Sequence, residues 1–316
     1  SGPRSTYRPS THFRHRSRIA VILLLVGDVC RREFHALRAA TQACGEVVEA
    51  ATATQARQLL SEGTHAFDVI VLAASYPGQF SHETVEQLRR LAPLSRVVGL
   101  LGSWCEGEMR TGHPYPGAIR VYWHQWAPRL GREAARWHDG LRSSWGLPIT
   151  AGEEERVLAL AEDPLPLRSG PIAVWSEEFA MQDWLRAACR RAGYTATWHR
   201  PGVSPPHEPP VAAIFDANDR PRRPYEHLRQ FAVDVHPAPV IALAGFPRVE
   251  DRDEALASGA SSVLSKPLLL EDLFWELDRL LCARDLPEGG PRGQTLKDKI
   301  PRIHIVEATR ASFLEK

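Results

Sequence analysis

Val211-Ala212-Ala213-Ile214-Phe215-Asp216 is an apolar run closed by a carboxylate, and Ser262-Val263-Leu264-Ser265-Lys266-Pro267 is a second run closed by an ammonium fifty residues later. These two stretches decide the fold. Parallel strands of an α/β sheet bring their carboxyl ends to one edge, where ligands and chemistry gather. Asp216 and Lys266 are therefore expected to meet at that edge. A third run, Ile172-Ala173-Val174-Trp175, ends in Ser176-Glu177-Glu178 and adds carboxylates to the same place.

Strand and helix alternate outward from these runs. After Glu178, Phe179, Met181, Trp184, Leu185, Ala188 and Cys189 recur at helical spacing, and Gly193 stops that helix before Tyr194-Thr195-Ala196-Thr197-Trp198. The loop from His199 to Pro210 holds five prolines and is neither helix nor inner strand. A polar turn, Asn218 to Pro224, precedes a helix from Tyr225 to Phe231. Pro239 to Ala244 reads as the fourth strand, Glu250 to Ser258 as the fourth helix and Leu270 to Leu281 as an apolar fifth helix. The result is a complete (βα)5 unit of ordinary domain size.

Ser258-Gly259-Ala260-Ser261-Ser262-Val263-Leu264-Ser265-Lys266-Pro267-Leu268, followed by Leu270-Glu271-Asp272-Leu273, resembles the last strand and helix entry of bacterial response-regulator receiver domains. The segment from Pro171 to Cys282 as a whole is similar to that CheY-like family. The resemblance implies a flavodoxin-like, doubly wound parallel sheet with Asp216 as phospho-acceptor and Lys266 as the phosphoryl-pairing lysine. It implies that Glu177 holds the place of the direct magnesium ligand and Ser176 that of the neighbouring acid. Two positions depart from the family pattern. Ala244 stands where a hydroxyl is usual, and Val263 where an aromatic switch residue is usual.

The chemistry needs these residue types whatever the family. A carboxylate that attacks phosphorus approaches another anion, so a divalent cation has to offset the charge. Glu177, Glu178 and Asp216 are the candidate ligands for a weak Mg2+ site with several waters. Lys266 would hold a phosphoryl oxygen as a point charge. Against this stands a simple structural ion pair between Asp216 and Lys266.

The first half repeats the pattern. Arg18 to Val26, Val47 to Ala50 and Phe67 to Leu72 read as strands, the first followed by a helix through Phe34, Leu37 and Ala40. Its chemistry is missing. The turn Pro77-Gly78 resembles the one that follows a phospho-acceptor, which places Ala73 at the acceptor position. Spacing then sets Val29 at the direct metal position beside Asp28, and His124-Gln125 where the second unit has Lys266-Pro267. The fold class expected is two (βα)5 doubly wound domains in tandem, the first a pseudo-receiver.

One segment of the first unit is richer than a scaffold needs. Trp104, Tyr115, Trp123 and Trp126, with Cys105, His113 and His124, all follow the fourth and fifth strands. Zinc ligation by Cys105, His113 and His124 matches no usual spacing. Aromatic anchors suit a docking surface, so Trp104, Tyr115, Trp123 and Trp126 are the expected interface residues; the plainer reading is packing over the fourth helix.

Composition narrows the rest. Lys plus Arg number 39 against 38 Asp plus Glu, so no global field favours nucleic acid or membrane. The five cysteines are scattered, three of them in apolar helical contexts, which suits reduced thiols in the cytoplasm. No apolar run is long enough to span a bilayer. Expected divisions are a basic arm at 1–17, domains at 18–140 and 171–284, a linker at 141–170 with a short helix near Arg156, and a tail at 285–316. In the tail, Ile300 to Val306 is an apolar run suited to pairing with a sheet edge. No helix-turn-helix, kinase, cyclase, P-loop or GxSxG motif occurs. The expectation is a signalling protein and not an enzyme, docking a histidine kinase, another signalling protein or a second copy as a homodimer. The alternative is a purely structural scaffold.

Overall fold

The computed structural model describes residues 21–107, 115, 117–161, 168–203, 208–217 and 224–284. The basic arm, the Asn218 turn, His113 and the Ile300 run lie outside the described residues.

The first sheet is built from β1 (Val21–Val26), β2 (Gly45–Ala50), β3 (Val69–Ala74), β4 (Arg96–Leu101) and β5 (Ile119–Tyr122). Its order is β2-β1-β3-β4-β5, with every pair parallel. The second sheet uses β6 (Pro171–Trp175), β7 (Thr195–Trp198), β8 (Ala212–Ala217), β9 (Val240–Gly245) and β10 (Ser262–Lys266). It repeats the order as β7-β6-β8-β9-β10, again all parallel. β3 and β8 are buried along their whole length, as strands covered by helices on both faces must be.

The helices α1 (His35–Cys44), α2 (Ala53–Glu62), α3 (His82–Leu91) and α4 (Trp126–His138) cover the first sheet. Thr52 and Ser81 start α2 and α3 as side-chain N-caps, each accepting a backbone N–H. Between β4 and β5 the described residues form only a 3₁₀ turn, Ser103–Cys105. The connector carries α5 (Glu153–Ala161), three residues longer at its start than Arg156 suggested. The second sheet is flanked by α6 (Phe179–Arg191), α7 (Pro224–Asp234), α8 (Val249–Ala257) and α9 (Leu270–Arg284).

The connector is not a free linker throughout. Trp145 is 2 % exposed and packs on Trp126 and Trp137, each pair of ring centroids 5.9 Å apart. Glu133, wholly buried on α4, accepts hydrogen bonds from the hydroxyls of Ser143 at 2.5 Å and Ser144 at 2.6 Å, which pins this stretch to the first domain.

The two domains then pack α4 against α9. A Cβ on Gly131 would run into the Trp275 indole, so the small residue is what lets the helices approach. Val249 of α8 joins the first domain's core, and the Arg252 guanidinium lies 5.1 Å over the Trp123 ring. Val29, Trp123 and Val249 share that one apolar cluster.

Candidate functional site

In the second sheet the order reverses between β6 and β8, and the three charged runs end there. Lys266 Nζ donates to Asp216 Oδ1 at 2.8 Å, and the Ser176 hydroxyl donates to Asp216 Oδ2 at 2.7 Å. Asp216 is 2 % exposed. Lys266 starts two strands away, a span of about 10 Å at ordinary strand spacing. It reaches across β9 because its register partner is Gly245 and that of Ala217 is Ala244, so nothing larger than a methyl group stands in the way. Ser176 is held in turn by accepting the Glu178 amide at 3.1 Å.

The expected meeting of Asp216 and Lys266 is thus present; the expected carboxylate trio is not. Glu177 and Glu178 are exposed, and Glu177 Oε1 lies 3.9 Å from His227 Nδ1. Both Asp216 oxygens are already engaged, by an ammonium and a hydroxyl. Among the described residues no three His, Cys, Asp or Glu side chains are gathered as metal ligands. Glu177, Glu178 and Asp216 as placed do not fit a preformed magnesium site. The reason is local: Glu177 and Glu178 follow β6 on a turn that faces solvent, while Asp216 sits within β8.

Strand register compares the two sheets residue by residue. Trp175 closes β6 opposite Phe215, and Val26 closes β1 opposite Leu72. The next residues, Asp216 and Ala73, are therefore equivalent, as the turn at Pro77 implied. Gly27 then matches Ser176 and Asp28 matches Glu177, one residue away from the spacing that placed Val29 in that role. Asp216, Leu243 and Leu264 line up across the second sheet as Ala73, Leu100 and Val121 do across the first. It follows that Trp123, not His124, occupies the place of Lys266. The difference arises because β5 starts two residues after Gly117 whereas β10 starts three after Gly259, so spacing counted from the glycine overshoots by one.

The first site is consequently apolar. Ala73 is buried, and the Gly27 Cα faces its carbonyl so closely that a Cβ would come within 2.8 Å of it. Gly27 also has a φ of 117°, which only glycine adopts without strain. Asp28 points outward, accepting from the Cys30 amide at 3.1 Å. His124 is half-buried with both ring nitrogens shielded from solvent and neither hydrogen-bonded, and this desolvation, with Arg129 nearby, pushes its imidazole down to about 3.

The expected aromatic docking rim is corrected at three of its four residues. Trp123 is 6 % exposed and Trp126 is 1 % exposed, with the Trp126 indole N–H donating to Thr41 Oγ1 at 3.1 Å. Tyr115 is half-buried, its ring edge-on to His82 and its hydroxyl beside the Phe80 amide. Trp104 alone of the four is open, at 77 % exposure. Cys105 is buried with its thiol on the Ala74 carbonyl. Missed by the sequence reading is Phe246, which follows β9 with a φ of 38° and meets the Tyr122 ring edge-on at 6.4 Å. An aromatic residue in that region is strained. No pattern in the sequence marks it.

No protein-family model matches the chain, and no curated protein matches it. Solved structures do match. The receiver domain of a sensor histidine kinase from Pseudomonas aeruginosa, described with a magnesium ion in its active-site cleft, is 22 % identical with a TM-score of 0.32, the match covering 36 % of this chain and 98 % of that one. A receiver domain of a histidine kinase from Syntrophus aciditrophicus is 22 % identical with a TM-score of 0.31, over 38 % of this chain and 96 % of that one. The yeast Ssk1 receiver domain, solved with the phosphotransfer protein Ypd1, belongs to a structure matching at 17 % identity and a TM-score of 0.30, over 40 % and 96 %. The strand order itself shows two tandem receiver-like, flavodoxin-like domains.

Proposed function

We propose that the chain is a signal-transduction docking protein, a binding module and not a catalyst, whose second receiver-like domain keeps the single candidate phospho-acceptor, Asp216. The first domain is a pseudo-receiver. One observation carries this reading: Asp216 and Lys266 form a 2.8 Å pair at the reversal point of the second sheet, while Ala73 and Trp123 hold the same register in the first. Asp216 Oδ1 or Oδ2 would attack the phosphorus of a small phosphodonor, and the donor's leaving group would depart with the bond electrons. Lys266 would transfer its contact from the carboxylate to a phosphoryl oxygen, as a charge-assisted donor. The partner would be a histidine kinase, a phosphotransfer protein or another signalling protein, or a second copy of this chain. No step is routed through magnesium; titration followed by the fluorescence of Trp175, stacked on Trp198 at 5.7 Å, is expected to saturate only at millimolar concentrations.

Mass spectrometry after treatment with acetyl phosphate tests it. One labelled site is expected, lost in Asp216→Asn and retained in Asp28→Asn. Label on the first domain would overturn the pseudo-receiver assignment.

The burial of Asp216, with a hydroxyl on one oxygen and an ammonium on the other, favours a second reading. In that reading both folds are structural and the pair caps the sheet. Absence of label on the folded protein would select it.

A further inference from the structure

A chamber of about 510 Å³ lies between the amino end of β5, the connector and the second domain, away from the Asp216 edge. Five arginines line it, Arg89, Arg120, Arg129, Arg132 and Arg156, with Glu153 the one lining carboxylate. The chain's net charge is only +1, so this concentration of guanidinium is local. Three of the five are committed to carboxylates. Arg132 holds Asp272 at 2.5 Å, Arg129 holds the same carboxylate at 3.4 Å, and Arg89 holds Glu86 at 2.8 Å. Arg120 and Arg156 are held more loosely. Arg120 makes an ion pair with Glu153 at 3.6 Å, too long for a hydrogen bond. Among the described residues Arg156 donates to the carbonyls of Ser144 and Pro148, and burial, then repulsion from Arg96, pulls its guanidinium below the usual range. Its hydrogen bonds go to neutral carbonyls, and Glu133, Glu155 and Glu153 act on it only from longer range, so its charge is one that a ligand can answer.

We propose that this chamber binds an organic phosphate of nucleotide size, its phosphates on Arg120 and Arg156 and its apolar body against Ile149 and Leu160. Arginine forks match phosphate oxygens two at a time. The volume lies within the range of about 300 to 1,000 Å³ usual for small-molecule sites. Leu269 of the second domain also lines the chamber, so the occupant touches both domains and the connector at once. Arg129, on a long contact to Asp272, is the donor such a ligand would recruit next.

Titration calorimetry and thermal melts with ADP, pyrophosphate and adenosine test this. ADP is expected to bind at one site and raise the melting temperature, pyrophosphate to bind more weakly, and adenosine not to bind. Arg120→Gln should weaken ADP by about tenfold, whereas Glu153→Gln should tighten it roughly threefold by removing a competing carboxylate. If Arg120→Gln does not fold, the opposite-signed Glu153→Gln result decides alone. No heat with ADP or pyrophosphate at millimolar concentration would overturn the proposal. So would binding indifferent to both substitutions, or pyrophosphate bound without ADP.

Discussion

Arg132 and Asp272, 140 residues apart in the chain, meet at 2.5 Å with both side chains under 10 % exposed. One lies on α4 of the first domain and the other at the start of α9 of the second. Around them the contact is apolar on one side, where Gly131 admits Trp275, and charged on the other, where Arg129 shares Asp272. Arg32 also reaches across, to Asp253 at 2.8 Å, but its side chain is 60 % exposed and such pairs contribute little. The interface thus leans on the buried pair and the indole.

Asp272→Ala should leave two largely buried guanidiniums without their shared carboxylate, Arg132 keeping only a 3.4 Å contact to Glu133. Removing one partner of a buried pair typically costs about 3 kcal/mol or more. Urea melts should show that loss, with limited proteolysis opening the connector first. A melt unchanged from wild type would mean that the domains are not held here.

Asp216 and Lys266 should respond unequally. Lys266→Met strands a carboxylate that is almost wholly buried, leaving it the Ser176 hydroxyl alone. Asp216→Asn leaves an ammonium that is 19 % exposed and can turn to water. The lysine substitution should therefore destabilise more, by roughly 1 to 2 kcal/mol, because an unpaired buried charge costs more than a lost pair. Equal losses in chemical denaturation would show that the pair is not buried as described.

How much of this was legible beforehand depends on which forces each residue answers to. The alternation of apolar runs and helical stripes predicts both sheets, and the carboxylate and ammonium at strand ends predict their meeting. The aromatic rim misread a stripe: Trp126, Leu130, Ala134 and Trp137 recur at helical spacing, which marks a core face and not a docking surface. Spacing sets His124 in the place of Lys266, but strand register, with Val121 opposite Leu100, gives that place to Trp123. The domain interface left almost no local trace, since Gly131 and Trp275 carry meaning only once two helices from distant parts of the chain cross.

His124 makes stability depend on pH. Its folded-state value of about 3 lies below the unfolded value near 6.5, so the unfolded chain binds the extra proton between them. Stability is therefore full above about pH 6.5 and falls as pH drops towards 3, by at most about 1.4 kcal/mol per unit from this group. Arg129 adds to the cost of charging it. Melts at pH 7 and pH 5 should show wild type losing more stability than His124→Gln. Identical losses would assign the acid sensitivity to other groups.

Beryllofluoride should leave α8 and β10 almost unmoved. A population shift needs contacts that differ between two states. At the place where a receiver's hydroxyl reads the phosphoryl group, this chain has Ala244, and at the place of the aromatic switch it has Val263, facing Ala242 in register. The surrounding face is also occupied: Val249 lies in the first domain's core, Arg252 covers Trp123, and Arg32 spans Glu250 and Asp253. Any movement of α8 would have to break these contacts with no hydroxyl drawn in to compensate. Amide hydrogen exchange with and without beryllofluoride should thus differ only around Asp216 and Ser176. Strong protection changes across Val249–Ala257 and Ser262–Lys266 would instead make the second domain a working switch, with the first domain as the element it pushes against.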